Sequence, residues 1–592
     1  MKDFFKIVLG STVGFVIASI LFSLLSIILF FGMIGSLSSS FSRDSFTLQD
    51  NSVLHLRLSG TIAERVPELD PFVQLLNNNE PSTMGLNDIV SAIRKAKDND
   101  KIKGIYIDSR AFSASMATLA EIRQELVRFK ESGKFIVSYA DNYLQSGYYL
   151  ASVADKIAIN PQGMLELRGL SSIPIFYKDA LDKLGIEMQI FKVGTYKSAV
   201  EPFIQNRMST ENREQMTALL DDAWHFMRND MAESRSLAPE KVDALANKMT
   251  AFQPVEFLLT ENLVDTILYE TEMRNYLRKL LNIDRNATIA SATVTEMKSV
   301  TSRSANRKTN NTIALLYATG NITSGSGSQG IQDRFMVNQI ERLRRDNDVK
   351  AVVFRINSGG GSAYASEQIW RAISDLRDVK PVIVSMGDMA ASGGYYIAAN
   401  ASKIVAQPTT ITGSIGIFGM VPSFEGTSRK IGISTDVVKT NEFADFGNLT
   451  RPFNAGESAL LQNMVERGYD LFLTRCADGR GMPKEGLAKF AEGRVWTGNQ
   501  AKEIGLVDEL GGISRAVEIA AEMAKLGKSY VVLEFPRMRS PFEELFNRER
   551  ENLAAKTLRE YLGESVELFM LLKDIRNEDY IQARLPFDLN IN

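Results

Sequence analysis

Pro381-Val-Ile-Val-Ser-Met-Gly-Asp388-Met-Ala-Ala-Ser392-Gly393-Gly394-Tyr395-Tyr396-Ile-Ala398 is the second rendering of a segment that the chain writes twice. The first is Lys134-Phe-Ile-Val-Ser-Tyr-Ala-Asp141-Asn-Tyr-Leu-Gln145-Ser146-Gly147-Tyr148-Tyr149-Leu-Ala151. A shift of 247 positions (392 − 145) superimposes the two without a gap from Gly133/Lys380 to Lys197/Ala444. Ile136, Val137, Ser138, Asp141, Gly147, Tyr148, Tyr149, Ala151, Lys156, Ile157 and Pro161 all recur in register. Ser392 falls opposite Gln145, and Lys197 falls opposite Ala444. Each half keeps one chemically useful residue that the other lacks, the pattern of a single active site assembled from two duplicated domains.

The repeat extends outward from this window. Asp98-Asn-Asp100 returns as Asp346-Asn-Asp348, each leading into an apolar run (Ile102 to Ile107, Val349 to Ile356), and Leu263-Val-Asp265 returns as Leu506-Val-Asp508. Leu119, Ile122, Leu126 and Phe129 fall at helical spacing, as do Ile369, Ile373 and Leu376. Short apolar strands alternating with such helices predict an α/β fold of two tandem βαβ domains, each around a buried parallel sheet. The expected boundaries are 1–43 for an anchor and the start of a Ser-rich stalk, 44–300 for the first repeat, and 301–310 for a polar linker. The second repeat is expected over 311–540, and a charged, helix-prone tail without a counterpart over 541–592.

At 592 residues the chain exceeds what one core usually supports. A net charge of −3 with both signs interspersed gives no footprint for nucleic acid. Cys476 is the lone cysteine, which excludes an intrachain disulfide and a cysteine metal site and reads as a small buried residue. Residues Ile7 to Gly35 carry no charged side chain, a run longer than a signal peptide's apolar core and long enough to span a bilayer. Lys2 and Lys6 precede it, so the expectation is a retained anchor with a cytoplasmic N-terminus and an exported body. Serines around Ser36 to Ser40 leave room for cleavage.

Ser392 sits between small residues where a strand gives way to a helix, a turn that exposes its hydroxyl and leaves the Gly393 amide where an oxyanion could develop. Taken alone, such a serine reads first as a cap of the helix, and the rest of the constellation reverses that reading. Arg355-Ile-Asn-Ser-Gly359-Gly360-Gly361-Ser362 ends the preceding strand, and its glycines allow another chain to approach closely. A phosphate cradle is the competing reading, but the Lys-Ser/Thr ending of a P-loop is absent, and no cofactor or metal is expected. The first repeat has Asp108-Ser-Arg-Ala-Phe-Ser there, with no glycine. A serine nucleophile needs a base. His55 and His225 are the only histidines, and neither lies in a recognisable motif. Lys197, in Gly194-Thr-Tyr196-Lys197-Ser-Ala-Val-Glu-Pro202, could serve if desolvation keeps it neutral, against the bland alternative of a surface lysine.

These segments, with Thr412-Gly-Ser414-Ile-Gly416-Ile-Phe-Gly419 and Gly493-Arg-Val-Trp496-Thr-Gly498, closely resemble the long form of signal peptide peptidase A (protease IV). That family is a group of membrane-anchored bacterial serine proteases of the Clp protease/crotonase superfamily. The resemblance covers nearly the whole chain after the stalk. It implies Ser392 as nucleophile, Lys197 as general base, Gly393 and Gly360 as oxyanion hole, and Ser414 as a residue that holds the lysine. It further implies a homo-oligomer (a tetramer), no cofactor, and leader-peptide remnants in the bacterial cytoplasmic membrane as substrates, cut on the periplasmic side. One departure is that Gly359 stands where the family pattern usually has proline, which loosens the loop without removing a donor. The rival readings are a coenzyme A enzyme of the crotonase type, which needs no Ser-Lys pair, and a membrane scaffold that has lost activity.

Overall fold

Two mainly parallel sheets carry the duplication in the computed structural model. It describes scattered positions between 10 and 26, then 46–66, 83–301, 309–327, 330–537 and 581–584. In the first sheet Ser52–Ala63, Ile102–Ser113, Phe135–Tyr143, Lys156–Leu165 and Thr266–Ile267 lie side by side. In the second the same order returns as Thr312–Thr319, Val349–Ser358, Val382–Ala391, Lys403–Ala406 and Glu509–Leu510. The central strands are unbroken apolar runs because helices bury both faces; Val382 to Gly387 is buried throughout. The crossover helices Met116–Lys130 and Ala363–Arg377 each begin at a serine, Ser115 and Ser362, whose hydroxyl accepts the amide three residues on. Those two serines are also 247 apart.

The recurring residues hold the scaffold. Asp265 and Asp508 each accept a strand amide at 2.7 Å, from Ile157 and Ile404, and each pairs with an arginine, Arg235 and Arg480. Tyr148 and Tyr395 donate to the carbonyls of Leu263 and Leu506. Duplicated sequence therefore marks duplicated architecture, and the chemistry is to be sought where the copies differ.

They differ most after the helices Lys178–Leu184 and Glu425–Lys430, the last elements that the 247-residue register matches within the window. The next strand of the first half, Glu187–Lys192, leaves its own sheet. It pairs antiparallel with Phe418–Ser423 of the second half, from Phe418↔Lys192 to Ser423↔Glu187. Their counterparts by register, residues 434–439 and 171–176, are paired in no sheet among the described residues. Lys197 and Ala444, opposite each other in the register, do not occupy equivalent places: Lys197 is fully buried and Ala444 is exposed.

A buried polar cluster also binds the halves. Arg355 Nε and Nη2 donate to Glu64 at 2.8 and 3.0 Å, and Nη2 also donates to Glu121 at 3.0 Å. Asn357 donates to Glu64 and Asp388, and Asp388 accepts from Ser115 and Thr118. Arg355, Asn357 and Asp388 lie on the two strands that end at the glycine loop and at Ser392.

Residues 1–49 form a separate unit, whose described positions between 10 and 26 are helical. Most of the expected anchor lies outside the described residues, as do 302–308 of the linker; among the described residues no helix is long and apolar enough to cross a membrane. Of the tail expected to be helical, the described residues are a strand, Ile581–Arg584.

Removing one member of a buried ion cluster strands the others. Arg355→Met is expected to lower unfolding free energy by about 3–5 kcal/mol in urea titrations. Restoring neutrality with Glu64→Gln and Glu121→Gln in the same chain should recover part of that loss.

Candidate active site

Ser392 separates the strand Val382–Ala391 from the helix Gly393–Ala398 and is fully buried. Its backbone stands at φ 55, ψ −117, a conformation that costs a non-glycine residue about 1–3 kcal/mol. Its amide donates to the Gly413 carbonyl at 2.8 Å, which helps to hold the turn. The side chain makes no capping hydrogen bond to the helix, so the capping alternative does not hold. The hydroxyl points instead at Lys197, in the geometry of a serine displayed on a sharp strand-to-helix turn.

Lys197 Nζ lies 2.9 Å from Ser392 Oγ, 3.0 Å from Ser414 Oγ and 3.3 Å from the Ser414 carbonyl oxygen. The amine comes from the first half and both hydroxyls from the second. The inter-half strand pair delivers it: Glu187–Lys192 is clamped to Phe418–Ser423, and the Tyr196 amide donates to the Glu492 carbonyl at 3.0 Å. Gly194 permits that approach, since a Cβ there would sit 2.4 Å from the Glu492 oxygen. The lysine stem then runs over Gly493, where a Cβ would come within 2.7 Å of the Lys197 Cβ. Burial holds the amine well below the usual lysine range. A neutral amine at hydrogen-bond distance can take a hydroxyl proton, and Ser414 can fix its direction.

Gly393 opens the helix, so its amide is free of the helical ladder. The Gly360 amide donates to Ser358 Oγ at 3.1 Å, so an oxyanion could claim it only by displacing that hydroxyl. Its neighbour Gly361 lies on the strand Gly360–Ser362, in register with a further strand, Ile581–Arg584. That strand fills a slot between Gly360–Ser362 and Phe418–Ser423.

The other candidates fall away. His55 pairs with Asp108 at 3.2 Å and stacks on Tyr106, while His225 is exposed on the helix Thr210–Arg235. Gln145, opposite Ser392 in the repeat, is satisfied by backbone: its Oε1 accepts from Arg168 and Gly169 and its Nε2 donates to the Gly169 carbonyl. Cys476 is buried. Sequence reasoning passed over Gly493, although it lies in a quoted motif, and over the Arg355 cluster, which no motif signals.

The sequence model of peptidase family S49 matches residues 128–284 and 374–527, one stretch in each half. The chain is 38% identical to Protease 4 of Salmonella typhi, over 74% of this chain and 72% of that protein. It is 35% identical to Protease 4 of Haemophilus influenzae, over 84% and 83%. It is 31% identical to the chloroplastic serine protease SPPA of Arabidopsis thaliana, over 83% and 72%.

The lysine leaves a thermodynamic signature. Unfolded, it titrates near ~10.4; folded, its value is lowered. Between those two values the unfolded state binds the extra proton, so stability rises with pH by about 1.4 kcal/mol per unit and is lost again as pH falls through the window. Urea midpoints measured across alkaline pH should show that slope in the wild type, and Lys197→Met should lack it.

Proposed function

The chain belongs to peptidase family S49 and is a serine protease, and we propose that it cuts peptides with Ser392 as nucleophile and Lys197 as general base. The observation that carries this reading is the 2.9 Å approach of a desolvated amine to a serine hydroxyl, with one partner from each half. Lys197 takes the Ser392 proton as Oγ attacks the scissile carbonyl, then returns it to the leaving amine. The Gly393 amide stabilises the oxyanion together with an amide of the glycine loop. The family resemblance assigns that second role to Gly360, whose amide Ser358 Oγ holds until an oxyanion takes its place. Ser414 orients the lysine.

Substrates bind as an extended strand in the slot between Gly360–Ser362 and Phe418–Ser423, where main-chain pairing tolerates many sequences. That tolerance suits a degradative endopeptidase. The charge-free run from Ile7 to Gly35 supports a membrane anchor, with remnants of signal peptides in the bacterial cytoplasmic membrane as substrates and the catalytic body on the periplasmic side. The halves are read as Clp-protease/crotonase-like repeats. A coenzyme A enzyme of that fold would have no use for the Ser-Lys contact, and an inactive scaffold no reason to keep it.

Assembly into a homo-oligomer has its own support. The pair Phe418–Ser423/Glu187–Lys192 has counterparts at 171–176 and 434–439 that expose Ile173 and Ile175 on one side and Val437 and Val438 on the other. Two copies pairing head to tail through those segments would repeat the internal contact. Val438→Glu should shift the chain towards monomer by light scattering; an unchanged mass would argue against this interface.

Assays on a peptide substrate test the dyad. Ser392→Ala is expected to lower kcat/KM by about 10⁴-fold or more, and Lys197→Ala by about 10²–10⁴-fold, in both cases with folding intact. Gln145→Ala should leave turnover essentially unchanged. Wild-type turnover by either of the first two variants would remove that residue from the mechanism.

A further inference from the structure

Gly493-Arg-Val-Trp496-Thr-Gly498 meets the lysine stem at Gly493, and its backbone goes on to brace both serines. The Gly493 amide donates to the Ile415 carbonyl at 2.9 Å, and the Arg494 carbonyl accepts the Ser414 amide at 2.7 Å. Val495 pairs with Gly413, whose carbonyl accepts the Ser392 amide. Ser414 is thereby held at φ 49, a conformation that needs such support in a non-glycine residue. The side chain of Arg494 then reaches across to the first half. Its guanidinium carbon lies 4.8 Å from the centre of the Tyr196 ring and 4.6 Å from that of Trp496. Tyr196 is the residue immediately before Lys197.

The helix Thr210–Arg235 of the first half completes the grip. Glu214 Oε1 lies 3.1 Å from Arg494 Nη1, and Glu214 Oε2 accepts the Tyr196 hydroxyl at 3.2 Å. Gln215 donates to the Tyr196 carbonyl at 3.2 Å and accepts the Val495 amide at 3.3 Å. Glu214 is half exposed, so its ion pair alone holds little. The stack is the stronger part, because a flat guanidinium lies well on aromatic faces. Arg494 Nε is buried without a hydrogen-bond partner among the described residues, so on that edge the rings are what holds it.

We infer that Arg494 is a positioning residue for the reaction: stacked against Tyr196 and Trp496, it fixes the backbone that enters Lys197 to the strand that pins Ser414. The inference rests on the Ser-Lys reading of the site. The amine stands at the end of a long, flexible stem, so its line to Ser392 is only as firm as the backbone beneath it. A shift of about 1 Å there costs up to about 10²-fold in rate. The same stack keeps water from the amine, which faces two hydroxyls and the Phe418 ring, 6.0 Å from its nitrogen. Burial is what makes that amine release its proton readily. Arg494 thus acts through Lys197 and not on the substrate.

The test uses the full-length chain in detergent, with kcat and KM for a fluorogenic peptide measured across pH and folding checked by circular dichroism. Arg494→Met is expected to lower kcat by about 10–10²-fold and to change KM by less than about twofold. The rise of kcat/KM with pH should move to higher pH, because an amine that water reaches holds its proton longer. Arg494→Lys keeps the charge without the flat face and should stay nearer to Arg494→Met than to the wild type. Tyr196→Leu leaves the arginine in place, should reproduce the kcat loss, and carries the test if Arg494→Met does not fold. In a Lys197→Ala background, Arg494→Met should cost less than about twofold more, since a residue that acts through the lysine has nothing left to position. Wild-type kcat and pH profile in Arg494→Met overturn the inference, as does a rise in KM alone, which would make Arg494 a substrate contact. Losses that multiply in the double variant, or full rescue by Arg494→Lys, overturn it too and leave the dyad standing. Wild-type turnover by Lys197→Ala overturns the dyad and this inference together.

Discussion

A buried lysine amine with no carboxylate beside it among the described residues is the constraint on which this architecture turns. Alone in an apolar interior such a group would be costly, and the protein relieves the cost by keeping it neutral and giving it two hydroxyls, those of Ser392 and Ser414. Keeping it neutral requires that water be excluded, so the lysine must be inserted deep in a domain other than its own. The antiparallel pairing of Glu187–Lys192 with Phe418–Ser423 does this, and Gly194 and Gly493 clear the path for the stem. The chemistry of the site and the docking of the two halves are one structural requirement.

The duplication explains how such a site could be built. Each half contains the same parallel sheet, crossover helix and Asp–Arg latch, so each alone supplies a strand-to-helix turn and a loop beside it. In the first half the turn carries Gln145, whose amide ties down the neighbouring backbone and leaves no nucleophile. In the second half the turn carries Ser392 in a strained conformation and faces three glycines. The Arg355 cluster then locks the two strands that carry the working loops to the first half, through Glu64 and Glu121.

The α/β class and the duplication were legible in the sequence because they are carried by local signals: apolar runs, helical spacing, glycine clusters and a register. Lys197 and Ser392 were singled out by the register and the resemblance together, and the two side chains lie 2.9 Å apart. The strand-to-helix turn at Ser392 lies where the small residues around it place it. Three features were not legible, each for a physical reason. Glu187–Lys192 looks like any edge strand, and nothing local says that it will pair across halves while residues 434–439 do not. Nothing local says which backbone amide a serine side chain will hold, and Ser358 holds that of Gly360. The tail reads as helix-prone from its charged residues, yet Ile581–Arg584 is drawn into a strand by two open sheet edges, a tertiary effect that overrides propensity.

The central claim is that one serine per chain is activated by one lysine from the other half. Intact-mass spectrometry of the protein after treatment with a serine-directed phosphonate, on wild type and Lys197→Ala, tests it most directly. The Ser-Lys reading expects a single adduct, mapping to Ser392, that disappears with Lys197→Ala. Labelling of Ser392 that persists at the wild-type rate without Lys197 would contradict it and return the search for a base to the histidines.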